Sequence, residues 1–178
     1  MPRCRCATFA CAAVFASSAA WGSDGAPAPG SSRPTAVALE ATARRPVLDP
    51  RLPEPVAATL SRGLPVVQER LRKYGSCRAL FAPLGSDAAA ALERASYHPA
   101  SAEQERRNCR PGVFALTTVG GSAISLCRTF AHLSAQQAAI ILLHEALHVA
   151  GQAEYPAAPG APDSLAITGM VMKGCWLF

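Results

Sequence analysis

The sequence has few aromatic residues and no dense block of basic ones. Two tryptophans, three tyrosines and six phenylalanines are spread over 178 residues, and arginines scattered between Arg33 and Arg128 account for most of the net charge of +5. A nucleic-acid-binding surface combines clustered Lys and Arg with aromatic side chains that stack on bases. We therefore expect no nucleic-acid partner, and we interpret the basic residues as a solvated surface.

The chain also lacks an apolar run long enough to cross a bilayer, which takes roughly 20 residues. The apolar run Cys6–Ala20 follows Arg3 and Arg5 and ends in small and polar residues, the layout of a secretory signal peptide. Cys11 lies in the middle of that run, not at the cleavage position that a lipoprotein signal requires. We predict a signal peptide at residues 1–22, a secreted or periplasmic mature protein, and no stable membrane anchor.

Cysteine usage supports export. Of the seven cysteines, three lie in the predicted signal peptide, and the mature chain keeps Cys77, Cys109, Cys127 and Cys175. An even number of cysteines in an exported chain indicates disulfides, and four cysteines allow three pairings that sequence alone does not distinguish. We favour Cys109 with Cys127, because they flank one predicted hairpin, and Cys77 with Cys175.

Composition divides the remaining chain into two parts. Residues 23–55 are rich in Ala, Pro, Gly and Ser and have few large apolar side chains, so they bury too little surface to offset their ordering entropy. We predict a flexible leader there, either a spacer or a propeptide. Residues 56–178 have room for one domain, and no internal repeat is visible.

Two helices are predicted in the first half of this domain. Apolar residues recur at three- and four-residue spacing from Val56 to Tyr74, with Pro65 as a point where the helix kinks or breaks. A second helix is predicted from Ser86 or Asp87, either of which can cap it, through Tyr97.

A β-hairpin is predicted next. The segments on both sides of Gly120 and Gly121 are rich in β-branched and aromatic residues. They predict strands at about Val113–Val119 and Ala123–Cys127. We expect an α+β domain in which a short antiparallel sheet packs on the following helix, with the second helix outside. The Ala123–Cys127 strand is a candidate for pairing with an extended peptide substrate, although a hairpin that only covers the helix fits the pattern equally.

The segment after the hairpin carries the chemistry. Ser134 and Gln137 form a capping-box signature before an apolar helix that contains His144, Glu145 and His148. Histidines four residues apart lie on the same helix face and can bind one metal ion, while the adjacent glutamate can accept a proton from a water molecule. Imidazole ligands suit Zn²⁺, which activates water near neutral pH. The alternative is a pair of helix histidines that only form hydrogen bonds.

A catalytic zinc site takes a third protein ligand and keeps one position open. Downstream of His148 the sequence offers one glutamate, Glu154, and one aspartate, Asp163, with Cys175 expected in a disulfide. Gly151 can end the helix and let the chain turn Glu154 towards the metal.

The run HEALHVAGQAE has the form HExxHxxGxxE and resembles the extended metal motif of metzincin-type peptidases. That resemblance implies a zincin-like fold with His144, His148 and Glu154 as ligands, although the third position of that motif is usually His, or Asp in some small secreted bacterial members. The preceding stretch LCRTFAHLSAQQAAIILLHE is similar to the corresponding region of deuterolysin-like aspzincins, which nominates Asp163 instead. The Gly-Thr-x-x-Asp context expected around such an aspartate is absent.

Several residues near the motif have two possible roles. Tyr155 is either a hydrogen-bond donor to the oxyanion of the reaction or an aromatic plug. Met170 and Met172 resemble the methionine beneath the metal in metzincins, but methionine in an apolar run more often packs in a core. His98 and His132 lie outside the motif, and we expect ordinary surface or core roles for them.

These observations predict an exported zinc metallopeptidase that acts on a peptide or protein substrate, with Glu145 as the general base. The runner-up is a non-catalytic exported module with a zincin fold that serves as a binding protein of the cell envelope. A purely structural zinc site is disfavoured, because it needs four protein ligands and the downstream supply is too small.

Overall fold

The computed structural model describes residues 46–178, so the predicted signal peptide and residues 23–45 of the predicted leader lie outside the described residues. The described chain is α+β, as predicted, with six α-helices and four strands. The helices are α1 Glu54–Lys73, α2 Gly75–Ala79, α3 Ala88–Arg94, α4 Ala102–Arg107, α5 Ala135–Val149 and α6 Ser164–Cys175. The strands are β1 Val47–Leu48, β2 Ser96–Pro99, β3 Ala115–Thr117 and β4 Ala123–Leu126. No helix among these residues combines the length and apolar character needed to cross a membrane.

The four strands form one mixed sheet in the order β1-β2-β4-β3. β3 and β4 are the antiparallel hairpin predicted around Gly120, but β2 runs parallel to both β1 and β4. The prediction of a purely antiparallel sheet is therefore wrong. β4 lies between two partners, whereas β3 is at the edge of the described sheet, and this difference matters for the site described below.

β2 occupies residues that were predicted to continue a helix. Asp87 caps α3 by accepting a hydrogen bond from the Ala90 amide, as expected, but α3 ends at Arg94 instead of Tyr97. Tyr97 lies in β2 and is fully buried, and Leu48 and Ile124 are its register partners on either side. Pairing on both edges and burial of the Tyr97 ring outweigh the local helix preference of the alanine-rich run.

The main helical contact is between α1 and α5. Gly63 makes the close approach, because a Cβ built there would lie 2.9 Å from the Ala138 Cβ. Pro65 lies inside α1 and does not break it. Large apolar side chains from α1, α5, α6 and the sheet share one core, which includes Leu60, Leu142 and Ile167.

The last ten residues of the predicted leader belong to the fold, since they contain β1 and the start of α1. Asp49 is 8% exposed; its carboxylate accepts two hydrogen bonds from the Arg51 guanidinium and one from His98 Nδ1, 3.0 Å away. His98 Nε2 lies 3.0 Å from the Ser96 Oγ. We call Asp49, Arg51, Ser96 and His98 the latch cluster, because it attaches the residues beside β1 to β2.

Both predicted disulfides are present. Cys77–Cys175 joins α2 to α6 across 98 residues of sequence, and Cys109–Cys127 joins the segment before β3 to the residue after β4 across 18. Disulfides of this kind are typical of proteins that fold in an oxidising compartment.

Candidate metal centre

The candidate site is built on α5, and local sequence explains where this helix starts. The Ser134 hydroxyl accepts a hydrogen bond from the Gln137 amide, and the Gln137 side chain accepts one from the Ser134 amide. This is the predicted capping box, which satisfies two amides at the helix N-terminus. His144, Glu145 and His148 follow three turns later and are all buried.

The end of α5 places two further groups. Gly151 has a φ of +106°, its amide donates to the His148 carbonyl, and the Gln152 amide donates to the Leu147 carbonyl. These two hydrogen bonds form the Schellman motif that ends many helices, and it needs a residue free to adopt positive φ. The turn brings the Gln152 carbonyl oxygen to 2.7 Å from His148 Nδ1 and leads Glu154 back towards the helix.

Three ligand atoms converge at this point, and we call His144, His148 and Glu154 the metal cluster. His144 Nε2 lies 3.1 Å from His148 Nε2, and a Glu154 carboxylate oxygen, Oε2, lies 3.0 Å from His148 Nε2 and 3.6 Å from His144 Nε2. In a tetrahedral zinc site with bonds of about 2.0–2.1 Å, neighbouring ligand atoms are roughly 3.3 Å apart. The spacing of the three atoms therefore suits one small cation.

Asp163, the alternative third ligand, is used elsewhere. It is the N-cap of α6, where its side chain accepts a hydrogen bond from the Ala166 amide at 2.8 Å. The structure thus brings Glu154, and not Asp163, to the two imidazoles.

Both imidazoles can present a lone pair to the centre of the cluster. A carbonyl oxygen only accepts hydrogen bonds, so His148 Nδ1 carries the proton that it donates to Gln152, and Nε2 is unprotonated in the neutral ring. His144 Nδ1 lies 3.1 Å from the Thr168 hydroxyl on α6, which can accept in the same way. Metal-binding histidines almost always have such an acceptor at their second ring nitrogen.

The electrostatics of the cluster favour a cation when both Nε2 atoms are unprotonated. In those tautomers two imidazole lone pairs and one carboxylate oxygen face one another within 3.6 Å, and acceptors in this arrangement repel unless a proton or a metal ion lies between them. Burial lowers the pKa of His144, as does the nearby His148, so a proton on that ring is disfavoured. A metal cation meets the need without protonating either histidine.

Glu145 is buried beside the cluster with one oxygen available. Glu145 is only 6% exposed, and its Oε2 has no hydrogen-bond partner among the described residues. Burial raises the pKa of Glu145, while the nearby Thr117 hydroxyl has the opposite effect. An orphaned carboxylate oxygen next to three ligand atoms fits a water molecule held between Glu145 and a metal ion.

Two adjoining cavities open onto this carboxylate. One, of about 240 Å³, is lined largely by apolar side chains, which include Val113, Phe114, Ile141 and Leu165. The other, of about 220 Å³, extends along β3 to the metal cluster. The metal cluster and Glu145 are therefore reachable from a cleft between β3 and the start of α6.

The remaining sequence candidates lie away from the cleft. Tyr155 is 57% exposed and lines neither cavity. Met170 and Met172 are on α6, and neither lines the cleft; Met170 is partly exposed beside Trp176. His98 belongs to the latch cluster. The suggestion that Ala123–Cys127 pairs with a substrate does not hold, because β4 has a strand on each side.

Two groups at the site were not predicted from sequence. The turn at Gly151 places the Gln152 carbonyl beside His148, so the predicted helix end could have indicated this contact. Thr168 had no such signal, because only the packing of α6 on α5 brings it to His144.

Comparisons of the chain with protein-family models, curated proteins and solved structures found no match. The site is therefore interpreted from its own geometry and from its sequence motif.

Proposed function

We propose that the protein is an exported zinc-dependent peptidase in which His144, His148 and Glu154 hold the metal and Glu145 is the general base. The observation that carries the proposal is the convergence of three possible ligand atoms within 3.6 Å, with the second ring nitrogen of each histidine beside an oxygen that can accept its proton. In the alternative, a pair of helix histidines that only form hydrogen bonds, His144 would carry its proton on Nε2 and Thr168 would donate to Nδ1.

Zinc fits two imidazoles and one carboxylate, and when bound it lowers the pKa of a coordinated water and polarises a carbonyl oxygen. Glu145 is not among the three converging ligands, and its unpartnered oxygen is placed to accept a proton from the attacking water. Its raised pKa makes the carboxylate a stronger base and favours uptake of that proton, which the more basic leaving amine can then take from Glu145. Burial of the carboxylate keeps bulk water from competing for it.

The cleft supports an extended peptide as substrate. Among residues 46–178, β3 pairs only with β4, so its other edge can form backbone hydrogen bonds with a peptide strand. The cavity beside Glu145 offers apolar contacts from Phe114, Ile141 and Leu165 and has no charged lining residue other than the reactive groups themselves. We propose that peptides with an apolar side chain next to the cleaved bond are preferred.

The second candidate is a non-catalytic binding module with the same fold. It has no need of a buried carboxylate beside the metal cluster, and burying such a group without a partner costs about 1–3 kcal/mol or more. The fold keeps Glu145 in this unfavourable position, whereas its other buried carboxylate, Asp49, has several partners. This contrast favours catalysis.

Zinc analysis combined with the Glu145→Ala variant tests the proposal. Purified mature protein should contain about one zinc per chain, and Glu145→Ala should keep the zinc while its hydrolysis of unstructured peptides falls by about 100-fold or more. A wild-type protein that takes up no zinc would end the metal proposal. Zinc binding with equal hydrolysis by both proteins would instead remove the catalytic role and leave the binding module.

A further inference from the structure

We infer that Thr168 is a positioning residue that fixes the tautomer of His144 and thereby sets the affinity of the site for its metal. The inference rests on the proposed metal site and concerns a residue outside the HExxH motif. Its basis is one contact between two helices, the 3.1 Å approach of the Thr168 Oγ1 to His144 Nδ1.

The two imidazoles are not fixed in the same way. The acceptor for His148 is the Gln152 backbone carbonyl, which allows only one tautomer of a neutral ring and which no side-chain substitution removes. The acceptor for His144 is a side-chain hydroxyl, which can either donate or accept. A metal on His144 Nε2 requires the proton on Nδ1, and Thr168 Oγ1 then accepts it.

No other group among residues 46–178 forms a hydrogen bond with His144 Nδ1 in the structure. The His144 side chain is only 7% exposed, so bulk water has little access to the ring. Without the hydroxyl, the Nδ1 proton has no protein acceptor, and the tautomer with the proton on Nε2, which cannot bind a metal, becomes more populated.

Thr168 also makes the site dependent on α6. This helix supplies no metal ligand, but its N-terminal part lines the cavity beside Glu145, and the Cys77–Cys175 disulfide attaches its far end to α2. The hydroxyl is thus held by an element with its own covalent anchor, while the histidine it contacts is on α5.

The experiment compares Thr168→Val, which keeps the shape and removes the hydroxyl, with Thr168→Ser, which keeps the hydroxyl. The zinc dissociation constant, measured by competition with a chelator, should rise by about 10- to 100-fold in Thr168→Val. It should stay within about threefold of wild type in Thr168→Ser. The matched control is Thr59→Val, which removes the hydroxyl of a buried threonine on α1 that donates to the Ala131 carbonyl and lines neither cavity of the cleft. Its zinc affinity should be unchanged.

A second measurement does not depend on zinc. Two-bond ¹H–¹⁵N spectra of the imidazoles in metal-free protein should show a larger fraction of His144 with the proton on Nε2 in Thr168→Val than in wild type. Unchanged zinc affinity and an unchanged tautomer in folded Thr168→Val would overturn the inference alone. Equal losses in the Val and Ser variants would also overturn it, since packing and not the hydroxyl would then be responsible. A wild-type protein that binds no zinc would overturn both the inference and the proposed function.

Discussion

The protein contains two clusters of histidine and carboxylate side chains that differ in how their hydrogen-bond donors and acceptors are paired. In the latch cluster every acceptor meets a donor: Arg51 and His98 donate to Asp49, and the Ser96 hydroxyl is placed to donate to His98. In the metal cluster, acceptors face acceptors in the tautomers that would bind a metal. The first arrangement is complete without any ligand, and we propose that the second is completed by a cation. The same residue types thus serve a structural role in one place and a proposed chemical role in the other.

The two buried carboxylates show the same contrast. Asp49 and Glu145 are 8% and 6% exposed, yet the pKa of Asp49 is lowered by its bonds to Arg51 and His98, and burial raises the pKa of Glu145. Degree of burial therefore does not distinguish the two carboxylates. The presence or absence of hydrogen-bond partners does, and that property can be tested by matched substitutions in the two clusters.

The largest expected difference is in metal binding after loss of one histidine. His148→Ala should contain no measurable zinc after dialysis, because it removes a ligand, whereas His98→Ala should keep about one zinc per chain. Elemental analysis of both purified variants measures this. Retention of a full zinc complement by His148→Ala, or its loss in folded His98→Ala, would contradict the division of the two clusters.

A smaller difference is expected between the two candidate third ligands. Glu154→Ala should weaken zinc binding by more than about 100-fold, beyond the usual effect of residues that only support a ligand. Asp163→Ala should leave the zinc affinity near that of wild type and lower the free energy of unfolding by about 1 kcal/mol through loss of the α6 cap.

Chelator competition and urea unfolding measure the two quantities for this pair. The reverse order of zinc affinities would reject Glu154 and support the aspzincin-like assignment of Asp163.

The smallest expected difference is in how stability depends on pH in metal-free protein. Because the pKa of Asp49 is lowered in the fold, its carboxylate stabilises the protein at pH values above its ordinary pKa of 3.8, and this contribution is lost as the pH falls. Because the pKa of Glu145 is raised, the folded protein keeps a proton on Glu145 at pH values where the unfolded chain has lost it. The free energy of unfolding therefore falls as the pH rises above 4.5.

Urea unfolding at several pH values measures both effects. At neutral pH, Glu145→Gln should be more stable than metal-free wild type by about 1–2 kcal/mol, since the variant no longer buries an ionisable group without a partner. Asp49→Asn should be less stable than wild type at neutral pH, with the difference shrinking as the pH falls. Changes of the same sign in both variants would show that the two carboxylates do not differ in the proposed way.

The parts of the fold that sequence predicted are those specified by local signals. The capping box at Ser134, the apolar run of α5 and the turn at Gly151 act within a few residues of one another, and the hairpin around Gly120 does the same. The two histidines four residues apart share a helix face for the same local reason. The disulfide pairing also followed, in the case of Cys109 and Cys127, from their positions around that hairpin.

The parts that were missed depend on distant partners. β2 is a strand because residues near 47 and 123 pair with it, and its four residues carry no alternation of their own. The role of Thr168 depends on where α6 docks, which no local pattern encodes. α4 is a different case, because Ser101 and Gln104 form a capping box, which is a local signal that the sequence does contain.

The Cys77–Cys175 disulfide has a consequence for the lifetime of the protein among peptidases, and among copies of itself if it is the proposed peptidase. The covalent loop that it closes contains all of β2–β4 and α3–α5, and with them every residue of the metal cluster. A single cut of the backbone anywhere inside that loop leaves one covalently connected molecule, whose pieces cannot diffuse apart. Exposed turns such as the one at Gly120 can then be nicked while the two imidazoles and their carboxylate stay in one particle.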